Sequence, residues 1–141
     1  MSKTKQNIFA VLTVIAIVSL FSIFSYAKSS NYSFNMKYRV VDGKENKEFH
    51  SLNKGTVYIT GEHYEYSADQ GATTNNYDIY YALIRSRLWF DKKCGSVCFS
   101  IDEDPSGKLG TADKTSEKYY LQIYKVEDDG HNIKGSGTIS N

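Results

Sequence analysis

Side chains alternate along most of this chain, and alternation is what limits its fold. Over residues 32–41, Tyr32, Phe34, Met36, Tyr38 and Val40 point one way, and Ser33, Asn35, Lys37 and Arg39 the other. A period of two marks a strand with one buried and one wet face. Residues 119–126 repeat it, with Tyr119, Leu121 and Ile123 as the inner set. In residues 77–90, Tyr80, Ala82, Ile84, Leu88 and Phe90 share one face, while Tyr81, Leu83, Arg85, Arg87 and Trp89 share the other. No segment after Ala27 carries the 3.6-residue apolar stripe of a helix. Tyr, Val, Ile and Thr are strand formers, and tyrosine alone occurs twelve times.

Shorter strands are predicted over residues 56–60 and 63–67, with Gly61-Glu62 as the hairpin turn between them. Others fall at 98–101 and 132–140, the last after an Asp128-Asp129-Gly130 turn. Residues 67–76 and 102–116 are polar and read as loops. Many short strands separated by turns imply an all-β fold, an antiparallel β-sandwich first and a small β-barrel second.

The amino-terminal end is different. Lys3 and Lys5 precede an apolar run over residues 8–24, and Ser25-Tyr26-Ala27 puts small residues at the −3 and −1 positions of a cleavage site. This is the layout of a secretory signal peptide, expected to be an apolar helix, with residues 28–141 as one exported domain. The alternative is an uncleaved anchor holding the same domain outside the cytoplasm, since a seventeen-residue run broken only by Thr13, Ser19 and Ser22 is at the lower edge of a bilayer span. A bias toward Lys, Asn, Ile and Tyr suggests a bacterial source, where the Asn31-Tyr32-Ser33 sequon carries no meaning.

Without Lys3 and Lys5 the seventeen basic side chains fall to fifteen, against sixteen acidic ones. No basic field exists to hold nucleic acid. The two cysteines, Cys94 and Cys98, are expected to be oxidised in an exported protein. A disulfide between them requires Gly95-Ser96-Val97 to turn the chain back on itself.

Motifs for catalysis are missing. His50, His63 and His131 have no zinc-site spacing, and Glu62 and His63 read as two solvated neighbours. No metal or cofactor is implied. Gly135-Ser136-Gly137 imitates a nucleophile elbow, but small residues in a strand more simply admit a close-packed backbone or ring. Asp102-Glu103-Asp104 lacks the spacing of a calcium loop. The one constellation with binding chemistry is Tyr81, Arg85, Arg87 and Trp89, which strand spacing puts on one face. Arginine beside an exposed aromatic can pair with anions and stack on rings. The expectation is a secreted, non-enzymatic binding protein whose partner is a protein or glycan at the cell surface. On this reading it touches the membrane only through its signal segment. The alternative is a secreted antagonistic factor, either a small membrane-active toxin or its exported immunity partner.

Overall fold

The computed structural model describes residues 27–73 and 76–141; the signal-helix expectation falls on residues outside them. Nine strands follow in order: β1 (Ser29–Met36), β2 (Val40–Asp42), β3 (His50–Leu52), β4 (Gly55–Ala68), β5 (Asp78–Arg85), β6 (Lys92–Ser100), β7 (Ser106–Ala112), β8 (Ser116–Tyr124) and β9 (His131–Ser140). All pairings are antiparallel. One sheet has the order β1-β9-β4-β7 and the other β2-β8-β5-β6, with β3 beside β8. The described residues contain no helix. This all-β, two-sheet arrangement agrees with the expected sandwich.

The inner faces follow the alternation. Tyr32, Phe34 and Met36 of β1 meet Val57 and Ile59 of β4, Ile79, Tyr81 and Leu83 of β5, and Tyr119, Leu121 and Ile123 of β8 in one buried cluster. The pattern over residues 32–41 breaks after Met36, where the chain leaves one sheet for the other. Tyr38 and Val40, expected inside, are 71% and 49% exposed.

Tyr81 stands at the centre. Its ring meets Tyr32, Phe34 and Phe99 edge-on at 6.0–6.1 Å and lies parallel to His63 at 6.0 Å. His63 is therefore buried, not solvated as the sequence suggested. Its Nε2 lies 2.9 Å from Ser100 O, an acceptor only, so Nε2 carries the proton and donates there. Nδ1 is then free to accept from the Tyr81 hydroxyl at 2.9 Å.

Glycines let large rings approach the sheet, and they account for two departures from the sequence reading. The hairpin expected at Gly61-Glu62 is absent, because β4 runs straight through Gly61, paired with Gly137 of β9. A Cβ on Gly61 would stand 2.6 Å from the Tyr32 hydroxyl, and one on Gly135 would overlap the Phe34 ring. Gly135-Ser136-Gly137 thus serves close packing, as expected.

The second departure is the disulfide. The turn expected at Gly95-Ser96-Val97 does not form; those residues are strand, paired with Leu83, Ala82 and Tyr81. Four residues of strand separate Cα atoms by about 13 Å, whereas a disulfide spans at most about 6.8 Å. Cys94 and Cys98 are both free thiols. Gly95 is used for contact instead of turning: a Cβ there would overlap Gly110 Cα and Leu109 O of β7, so the two sheets meet backbone to backbone at this corner. β7 itself lies inside the expected loop 102–116. It was hidden because it presents only Leu109 and Ala112 to the core.

Two measurements check this packing. Gly137→Ala should destabilise the fold by about 1–3 kcal/mol through overpacking, read by urea denaturation. Tyr32→Phe should be neutral or slightly stabilising, because the buried Tyr32 hydroxyl has no hydrogen-bond partner. For the cysteines, mass analysis of the folded protein should find no 2 Da loss. Exposed Cys98 should react with a thiol reagent before Cys94, whose thiol burial pushes upward in pKa.

Candidate functional site

The four candidate residues divide into two pairs. Tyr81 belongs to the core, and Arg85, only 7% exposed, turns inward beside it. Arg85 pairs with Asp113 at 3.0 Å, and Asp113 also receives Lys92 at 2.9 Å. Arg87 and Trp89 lie beyond the end of β5, in the 86–91 loop that leads to β6. No single sheet face carries all four. The strand expected over residues 77–90 ends at Arg85, and alternation ends with it.

The 86–91 loop is tied at its base. Ser86 N donates to Lys118 O at 2.8 Å. The Asp91 carboxylate accepts from Arg87 N at 3.0 Å, from the Tyr120 hydroxyl at 2.9 Å and from Lys44 Nζ at 2.7 Å. Burial acts against the ionised carboxyl, but these three donors outweigh it and hold Asp91 at about 2, below the ordinary 3.8. With Arg87 and Asp91 pinned, the residues between them project. Leu88, Trp89 and Phe90 are 89%, 84% and 84% exposed. Single exposed hydrophobes are ordinary, but three in succession on a fastened loop are not.

Beside them opens a recess of about 520 Å³, lined by the loop together with Arg85, Lys114, Ser116 and Lys118. Arg87, Lys114 and Lys118 are exposed and form no ion pair among the described residues. Asp91 and Asp113, at the end of the loop and beside Lys114, are already engaged by cations of the fold. The surface is therefore apolar at its tip and positive at its shoulder. Lys114 and Lys118 were missed in the sequence because they belong to the β7–β8 turn and β8, about thirty residues from the loop.

At the opposite end of the sheets lies a buried polar group. Lys125 is 1% exposed; its Nζ donates to Asp129 and, at 2.6 Å, to His131 O. Burial opposes the Asp129 charge, but Lys125 and His131 N outweigh it and keep the carboxyl below its ordinary range. His131 Nε2 donates to Thr73 O at 2.7 Å, and Nδ1 lies 2.8 Å from Glu65 Oε2, an ion pair only when the ring is protonated. Asp69 N and Thr73 N bond to Gly130 O and Asp129 O. These bonds hold the loop after β4 against the start of β9, and Gly130 makes its turn at φ 80°. No group of three or more His, Cys, Asp or Glu side chains that could hold a metal occurs among the described residues.

Neither a protein-family model nor a curated protein matches the chain.

Acidification should expose the Asp91 tie. Its folded pKa lies below its ordinary value, so the ionised form favours the fold. That contribution is complete above about pH 4 and is lost as pH falls through 2. Asp91→Asn should cost about 1 kcal/mol at pH 7 and flatten this acid limb, read from denaturation midpoints across pH. Asp129→Ala should cost about 3–5 kcal/mol, because it strands the buried Lys125 ammonium.

Proposed function

We propose that this chain is an exported, non-enzymatic binding protein that works by contact at the cell surface. Its body we read as a β-sandwich, and its contact element as the 86–91 loop with Arg87 and Trp89 and the cations beside them. The observation that carries this reading is the fastened loop itself, which holds Leu88, Trp89 and Phe90 almost fully in solvent. Exposing three large apolar side chains forfeits burial worth roughly 1.5–3 kcal/mol each, and a partner that covers them recovers it. Aromatic and arginine side chains dominate contact energies in such patches. Tyr81 and Arg85 take supporting roles: Tyr81 fills the core under β5, and Arg85 ties its end to Asp113.

Retention on producing cells and on their isolated envelopes tests the reading. Arg87→Ala with Trp89→Ala should lower retention roughly tenfold or more, as removal of hot-spot side chains does. Both residues are exposed, so the fold should tolerate the change. Retention equal to the parent protein's would remove this loop as the contact element.

A further inference from the structure

We infer that the partner of this pole is the surface of an anionic lipid bilayer, with Leu88, Trp89 and Phe90 entering the headgroup boundary and Arg87, Lys114 and Lys118 lying over anionic headgroups. This rests on the reading of the 86–91 loop as the contact element, and it names what the loop contacts. The first of the two sequence readings confined membrane contact to the apolar leader; here the described domain supplies a second contact of its own.

Three observations converge. The first is the composition of the tip. Leu88, Trp89 and Phe90 present hydrocarbon and rings, and their side chains offer one polar group, the indole N–H. Tryptophan with one polar edge suits the boundary between water and lipid, and neighbouring Leu and Phe suit the layer beneath. A glycan site built on an aromatic platform needs polar side chains around the ring to meet the sugar hydroxyls. Here the residues on either side of Trp89 are Leu88 and Phe90, and the polar groups of the adjoining recess are chiefly cations, Arg87, Lys114 and Lys118, with Ser86 and Ser116.

The second is charge. The shoulder holds Arg87, Lys114 and Lys118 without ion pairs among the described residues, while Asp91 and Asp113 are occupied by Lys44, Arg85 and Lys92. Lys54 is exposed at the same end, where its backbone N donates to Thr115 Oγ1 at 3.1 Å. Glu117 lies between Ser116 and Lys118 in β8, so alternation turns it to the other face. A cationic rim around an apolar tip matches a surface that is anionic outside and apolar within. An anionic wall polymer would satisfy the rim and leave the tip in water.

The third is where the chain enters. Lys28 and Asn141 exchange backbone hydrogen bonds of 2.8 and 3.0 Å, and Asn53 N donates to Asn141 Oδ1 at 3.1 Å. Leu52 pairs with Ser116, and Ser86 N with Lys118 O, so this run of bonds links the chain entry to the loop at one end of the two sheets. Only Ser25, Tyr26 and Ala27 separate Lys28 from Phe24, the end of the apolar run. Four extended steps reach about 14 Å at most. If the leader stays uncleaved in a bilayer, Lys28 would therefore lie within about 14 Å of it, with the loop at the same end of the sheets.

Trp89 is the only tryptophan of the chain, so it reports on the loop without a label. The full chain is mixed with vesicles of phosphatidylglycerol and phosphatidylcholine in equal parts, or of phosphatidylcholine alone, each with and without bromine on the acyl chains. The expected result is a shift of Trp89 emission to shorter wavelength and strong quenching by brominated lipid in the anionic vesicles. Little of either is expected in the zwitterionic ones, and high salt should weaken both. Lys114→Glu with Lys118→Glu should remove most of the quenching and leave leader insertion intact. Trp89 unquenched in anionic vesicles, even when the chain sediments with them through its leader, overturns the inference. If retention on envelopes still depends on Arg87 and Trp89 in that case, the loop remains a contact element for a protein or glycan. If retention is independent of them as well, both readings fall.

Discussion

The stack of Tyr81 on His63 joins the two sheets, and much of the rest follows from it. Tyr81 comes from the centre of β5 and His63 from β4 in the opposite sheet. Burying a phenol and an imidazole together is costly unless their polar atoms are answered. Here the hydroxyl donates to Nδ1, and Nε2–H donates to the carbonyl of Ser100. A polar pair thus spans an otherwise apolar layer with its hydrogen bonds satisfied, and Tyr32, Phe34 and Phe99 pack against it edge-on. Burial also pushes the Tyr81 phenol well above its ordinary pKa, so it stays a donor at any physiological pH. Because Tyr81 and His63 are each fixed within a ladder, their contact sets both the spacing and the alignment of the sheets.

Rings of this size need room, and glycine provides it at chosen points. Gly61, Gly135 and Gly137 lie where Tyr32 and Phe34 press on β4 and β9. Gly95 and Gly110 do the same for two backbones, bringing β6 and β7 together at the corner. The layer is therefore thick in the middle and thin at one edge. None of these positions requires a turn; each requires the absence of a side chain.

That distinction explains how much was legible in the sequence. Alternation gave the inner residues of β1 and β8 correctly, because a half-buried strand writes its two faces into alternate positions; in β5 it separated the two faces, but the one read as a binding surface, with Tyr81 and Arg85, is the buried one. It could not show that Gly61 and Gly95 sit in mid-strand, because a glycine that makes room looks the same as one that bends the chain. The disulfide between Cys94 and Cys98 depended on that bend and fell with it. β7 was invisible for another reason: an edge strand with two inward residues leaves too short a pattern to detect. The candidate surface was half legible. Arg87 and Trp89 were picked out by residue type at a strand spacing, although they lie in the loop after β5. Lys114 and Lys118 are far off in sequence, and Arg85 faces inward because alternation persists to the last residue of β5 and then stops.

The Asp91 tie has a consequence of its own. One carboxylate gathers Lys44, the Arg87 amide and the Tyr120 hydroxyl from three separate stretches of chain. Most connecting segments of six residues sample many shapes and must surrender that freedom when something settles on them. This one is fastened at Ser86, Arg87 and Asp91 during folding, so a partner at Trp89 would meet a loop whose base is already set and bear less of the ordering entropy that contact with a loose segment exacts.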